Sequence, residues 1–138
     1  MTHITIKSLT QPDVRPVKES GELYRLEQDY TFIFTIDGKM YKPTIKKGFL
    51  YDGASVPRPV WTMIGFLPDG VHRPAALIHD WLYTFEGQVT INGDVFNYDR
   101  KFTDQLFLKA LKYIGVKSWH ARIAYLAARV GGYFYWRD

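Results

Sequence analysis

Between Asp52 and Pro74 the chain places Gly53, Pro57, Pro59, Gly65, Pro68 and Gly70 so closely that no long helix or strand can cross the segment. Regular structure must therefore form on either side of an irregular connector. At 138 residues the two sides are still small enough to share one domain, which buries roughly two-thirds of the unfolded surface. The predicted organisation is a single domain over 1–138, with mainly strands in 1–51, a loop-rich connector in 52–73 and mainly helices in 74–138. A hydrophobic fraction of 46% with 17% aromatic residues describes a folded chain whose core is aromatic.

The first part carries the marks of β structure. Ile4 and Ile6 alternate with Thr5 and Lys7, as in a short strand, while two prolines make Gln11 to Pro16 read as a loop. Tyr24, Leu26 and Tyr30 to Ile36 are rich in aromatic and β-branched residues. Asp37-Gly38 between Phe32–Ile36 and Lys39–Lys42 predicts a tight hairpin, because a primed turn needs positive φ at its centre. Thr44 to Lys47 and Phe49 to Tyr51 extend the sheet, with Gly48 as a bulge or bend.

Beyond the connector the pattern turns helical. Pro74 suits a first helical turn and Ala75 to Phe85 follows without a breaker. Glu86 to Asn97, with Asn92-Gly93 and alternating Val89, Ile91 and Val95, reads as a small hairpin or an irregular excursion. Asn97 or Asp99 caps a second helix that reaches Ile114, stopped by Gly115. Ser118 caps a third, Trp119 to Val130, ended by Gly131-Gly132 ahead of an aromatic tail, Tyr133 to Trp136. The expected fold is α+β: an N-terminal antiparallel sheet packed on a helical part, with two antiparallel site-bearing helices and a third helix.

Several function classes are excluded at once. The chain has no cysteine, which removes disulfide scaffolds, thiol nucleophiles, zinc ribbons and iron–sulfur clusters. Any metal would sit on imidazole, carboxylate or carbonyl ligands, a set that suits hard cations such as calcium. A net charge of +4 would suit a phosphate-bearing partner, but the basic doublets are Lys46-Lys47 and Arg100-Lys101 alone. No specific nucleic-acid binding is expected. Met1 to Lys18 is too polar for a signal peptide and no run of 18 apolar residues occurs, so a cytoplasmic site of synthesis and no transmembrane segment are expected. The aromatic tail, with Trp119, invites a membrane-interface reading, but the tail is expected to pack back on the β portion.

Ile78 to Tyr83 holds the most informative residues. His79 and Tyr83 share a helical face, with Asp80 about a quarter turn away. On the next helix Asp104 lies in the same stripe as Phe107, Leu108 and Leu111. An ionised carboxylate buried there is costly unless a cation or a ring N–H meets it, and His79 is the natural candidate. A histidine held by a buried aspartate is the acid–base half of a hydrolytic site; the same pair could equally be a satisfied core contact. Arg100 could pair with Asp80, Asp99 or Asp104, or meet a phosphate. Arg122 and Arg129 read as a solvated stripe, and His72 and His120 as a surface residue and a packing or capping residue.

The order Asp-Gly-Ala-Ser-Val-Pro at Asp52 to Pro57, His-Asp-x-x-Tyr at His79 to Tyr83, and Arg-x-x-x-Asp-x-x-Phe from Arg100 resembles an uncharacterised protein family of tailed bacteriophages and prophages. More distantly it is similar to the bacterial and fungal secreted phospholipases A2. That second resemblance implies His79 as general base, Asp104 as the carboxylate that orients it and Tyr83 hydrogen-bonding that carboxylate. Asp80, with Asp52 or carbonyls of the Asp52 to Ser55 loop, would bind Ca2+, which polarises the ester carbonyl. Ala54 stands where those phospholipases carry a cysteine. The expected function is a phage-type, calcium-dependent hydrolase of phospholipid or another ester, virion-associated or released after synthesis. The alternatives are a non-catalytic virion or host-interaction protein, in which His79, Asp104, Tyr83 and Arg100 form a structural polar network, and a metal-dependent hydrolase of the cell wall.

Overall fold

A computed structural model of the chain describes residues 3–17, 24–51, 73–131 and 136. The connector, with Asp52, Ser55 and His72, lies outside the described residues, as do Tyr133 to Tyr135 of the tail. Among the described residues eight strands precede the connector: β1 (Ile4–Ser8), β2 (Val14–Pro16), β3 (Tyr24–Leu26), β4 (Tyr30–Thr31), β5 (Ile33–Ile36), β6 (Lys39–Tyr41), β7 (Thr44–Ile45) and β8 (Leu50–Tyr51). Helix α1 (Arg73–Thr84), a hairpin of β9 (Gln88–Ile91) and β10 (Asp94–Asn97), and helices α2 (Arg100–Tyr113) and α3 (Ser118–Gly131) follow. All strand pairs are antiparallel, and the fold is α+β.

The tight turns fall where paired positive-φ residues allow them. Asp37 and Gly38 have φ of 51° and 87°, and Asn92 and Gly93 have 53° and 86°, so both dipeptides close primed hairpins whose twist matches the strands they join. The second of these settles Glu86 to Asn97 as a hairpin. Gly48, at φ 93°, makes a turn between β7 and β8 rather than a bulge.

Three details depart from expectation. Gln11 to Pro16 is not all loop: Val14–Pro16 pairs with β3, as an edge strand whose last residue is the proline, a place where a missing N–H costs no ladder bond. The N-terminal strands do not make one sheet but the ladders β1-β5-β6, β2-β3-β8 and β4-β7. Pro43 explains part of the division: Phe32 N–H donates to its carbonyl at 3.2 Å, but proline has no N–H to return, so the pairing lapses between β6 and β7. Thirdly, Trp136 of the tail packs edge-on against Tyr83 of α1, 5.1 Å between ring centres, where packing on the β portion was expected.

The core is aromatic, as the composition required. Tyr41, Phe96, Tyr98, Phe102 and Phe34 form a closed ring of contacts with centroids 4.4 to 6.3 Å apart, tying the β9–β10 hairpin and α2 to the β5–β6 hairpin. Phe32 meets Trp81 of α1 edge-on at 6.1 Å. Helix α1 is the centre of the molecule, with every residue from Pro74 to Tyr83 buried. A helix buried on all sides is ordinarily apolar all round. Here it carries His79 and Asp80 into the interior, and they need partners there.

Gly87 fastens the end of α1 to the start of α2. Its N–H donates to Leu82 O at 2.8 Å and its carbonyl accepts from Tyr98 N–H at 2.8 Å, with φ at 79°. A Cβ here would strike the Tyr98 carbonyl, whereas at Gly38 it would meet nothing within 4 Å. Gly38→Ala should thus cost about 1 kcal/mol, the backbone term alone, and Gly87→Ala about 3 kcal/mol or more. Urea unfolding of the two variants beside the wild type measures the difference.

Candidate functional site

Asp104 sits in the second turn of α2, its side chain wholly shielded from solvent. The helix starts where it does because Asp99 caps it, accepting from Phe102 N–H at 2.7 Å, which sets the rotation that turns Asp104 inward with Phe107 and Leu111. Oδ1 of Asp104 lies 2.7 Å from His79 Nε2 and accepts the Tyr83 hydroxyl at 2.7 Å. Oδ2 accepts from Arg129 Nη1 at 2.9 Å and lies 3.5 Å from Arg100 Nη1. One carboxylate thus joins α1, α2 and α3.

His79 is 1% exposed, its ring lying between those of Tyr83 and Phe107, with centroids at 4.3 and 4.4 Å. These pairings fix the direction of the helices: moving from His79 to Tyr83 along α1 moves from Phe107 back to Asp104 along α2, so the two are antiparallel. Burial, reinforced by the Asp104 carboxylate, pushes the Tyr83 phenol above its ordinary range. Tyr83 is therefore a donor to Asp104 at neutral pH.

The expected cluster of His79, Tyr83, Asp104 and Arg100 is brought together. Of the four partners left open for Arg100, Asp104 is the carboxylate it meets, and the same Nη1 donates to the carbonyls of Ala128 and Arg129 at 3.3 and 2.8 Å. Arg100 therefore also closes the C-terminus of α3, where carbonyls lack helical partners. Arg129 is the residue that sequence reasoning missed. It is not part of a solvated stripe, since its guanidinium reaches Asp104; Arg122 does remain exposed. The sequence signal for it was slight: a buried carboxylate favours any cation within reach, and Arg100 was already on offer.

The calcium ligands divide differently. Asp80 is 7% exposed on α1, and Asp52 and Ser55 lie outside the described residues. Among the described residues no three His, Asp or Glu side chains gather where they could hold a metal ion. Asp80 alone does not make a calcium site, and Asp52 and the Asp52 to Ser55 carbonyls expected to complete it belong to the connector.

A family described as a protein of unknown function, DUF1353, matches residues 24–128. The chain belongs to it. That span runs from β3 into the last turn of α3 and includes His79, Tyr83, Arg100 and Asp104. An uncharacterized protein of Sinorhizobium fredii (strain NBRC 101917 / NGR234), y4jT, is 26% identical over 110 residues, covering 80% of this chain. The DUF1353 chain spans 29% of the length of that relative. No solved structure matches it.

Two outcomes follow for stability. Asp104→Ala takes the carboxylate from the buried Tyr83 hydroxyl and His79 Nε2 and from the guanidinium of Arg129, and should cost about 3–5 kcal/mol in urea unfolding. Alkaline pH should act through the tyrosines. Burial pushes Tyr30, whose hydroxyl donates to Thr10 O, up to about 12, and Tyr83 shifts the same way. The unfolded phenols ionise near 10, so the stability these protons supply is complete below pH 10 and is lost as pH rises from there toward 12. Tyr98, which burial likewise pushes up to about 12, acts in the same sense, so unfolding free energy should fall by at most about 1.4 kcal/mol per pH unit for each of the three, and Tyr30→Phe should flatten the fall.

Proposed function

We propose that this chain is a hydrolase of ester bonds, with phospholipid as its leading substrate, acting by direct attack of an activated water. The observation that supports it is the 2.7 Å contact of His79 Nε2 with an Asp104 oxygen that also receives the Tyr83 hydroxyl. A proton on Nε2 directed at the carboxylate makes Nδ1 the basic nitrogen. In this reading Nδ1 takes a proton from water as the oxygen attacks the ester carbonyl, Asp104 stabilises the imidazolium so formed, and the proton passes to the departing alkoxide. No covalent intermediate is required. Arg129, Arg100 and Tyr83 hold and orient the Asp104 carboxylate rather than touching the substrate.

Calcium belongs to this proposal as the electrophile. Asp80, with Asp52 or carbonyls of the Asp52 to Ser55 loop, would hold it, and when bound it supplies polarisation of the ester carbonyl. The setting we propose is that of a tailed phage, with the protein carried in the virion or released after synthesis.

A second reading draws on the burial of the same groups. His79 at 1% and Asp104 at 0% exposure, with two guanidiniums on the carboxylate, suit a polar network that fixes the register of three helices in a non-catalytic virion or host-interaction protein.

Turnover separates the two. Purified protein with millimolar calcium should release fatty acid from mixed phosphatidylcholine and phosphatidylglycerol vesicles, or cleave a soluble ester. His79→Gln should lower kcat by about 10²-fold or more with the fold retained, as judged by circular dichroism. Absence of any ester cleavage, or a His79→Gln protein as active as the wild type, would sink the hydrolase and leave the structural network.

A further inference from the structure

The outer face of α3 carries large apolar side chains in water. Trp119 is 61% exposed, Leu126 54% and Val130 74%, with Ile123 partly buried among them. At 100° per residue these four positions fall within about 60° of arc, opposite the buried Ala121, Ala124 and Ala128 that pack α3 on the domain. The helix thus has two apolar faces: the alanines pack it on the domain, and of the outer stripe Ile123 alone reaches the core, leaving Trp119, Leu126 and Val130 in solvent among the described residues.

Charge singles out what the other face fits. From Gln105 to Arg137 the sequence holds six basic residues, Lys109, Lys112, Lys117, Arg122, Arg129 and Arg137, and no Asp or Glu. The remainder of the chain holds twelve Lys and Arg against fourteen Asp and Glu. The positive balance belongs entirely to the last third, although the basic residues there are too scattered to form doublets. Arg122 is exposed beside the stripe, and Lys117 is exposed just ahead of the helix.

We infer that the Trp119, Ile123, Leu126 and Val130 face of α3 is a docking surface for an anionic lipid bilayer. Apolar side chains that include a tryptophan, bordered by cations and free of acidic residues, are what a helix lying in the headgroup region requires. A second copy of the chain fits less well, because two such faces would bring Lys117 and Arg122 toward their own kind with no carboxylate on α3 to receive them. None of the described helices is long and apolar enough to cross a membrane, so the contact is with the surface. This inference does not rest on the hydrolase reading: a protein that binds vesicles without cleaving them would keep the surface and lose the enzyme.

Co-sedimentation of the full chain with vesicles, in EDTA to suppress any calcium-dependent turnover, tests it. Vesicles of 70% phosphatidylcholine and 30% phosphatidylglycerol should retain the protein, and pure phosphatidylcholine should retain at least about tenfold less. Leu126→Glu with Val130→Glu, both at exposed positions, should weaken retention at least about tenfold with an unchanged circular dichroism spectrum. Val95→Glu, an equal change on the β9–β10 hairpin, should leave it unaltered. The proposal is overturned if anionic vesicles retain no protein, or if the double substitution leaves retention intact. It is likewise overturned if sedimentation equilibrium without lipid shows a dimer that the double substitution dissolves, which assigns the face to a second copy.

Discussion

A single buried carboxylate sets the arrangement of the helical half. Taking Asp104 out of water is costly, and the cost is met only if every one of its acceptor directions is used. His79 and Tyr83 come from α1, Arg100 from one turn earlier on α2, and Arg129 from α3. Each contact restricts a helix in rotation and in sliding: moving α1 by one residue would replace an imidazole by Ile78 or Asp80, and the latter would place two carboxylates together. Apolar packing alone would tolerate such slips far better. The fit of α1 against α2 is therefore specified by charge and hydrogen bonding, within a core whose free energy comes from aromatic burial.

Much of this was legible from residue order alone. Asp37-Gly38 and Asn92-Gly93 announced their hairpins because few residue pairs accept positive φ twice in succession. His79, Tyr83 and Asp104 could be placed together because helical spacing fixes which side chains share a face, and because a carboxylate in an apolar stripe demands a partner. What was not legible depended on distance in the chain. Arg129 reaches Asp104 across 25 positions, and nothing in the helical pattern of α3 distinguishes it from the exposed Arg122. Strand β2 was hidden by Pro16 and by Pro12 just ahead of it, since only the pairing partner decides whether a missing N–H faces a neighbour or water. The lapse in pairing at Pro43 was equally invisible, because a strand of two residues has no periodicity to read.

The proposed site is unequal in its two halves. The acid–base half stands on three regular helices and is defined by contacts of 2.7 to 2.9 Å among described residues. The electrophilic half of the proposal would draw on the Asp52 to Ser55 loop, beyond those residues, together with Asp80. Chemistry needs both, whereas a register lock needs the first alone. This asymmetry is why turnover, rather than stability, is the measurement that bears on function: every substitution at Asp104 disturbs the fold under either reading, but only a hydrolase needs His79 to exchange a proton.

Helix α3 links the two parts of the molecule that face outward and inward. Its alanines allow a close approach to α2, and the closeness is what lets the Arg129 guanidinium arrive at a carboxylate with no exposure of its own. The same alanines leave α3 with no large apolar residue on its inner face, so Trp119, Leu126 and Val130 have nowhere to go but out. Rotating α3 to bury them would draw Arg129 away from Asp104 and undo its 2.9 Å contact. The ion pair that completes the buried site therefore also holds the apolar stripe in solvent, and no rearrangement confined to α3 can satisfy both.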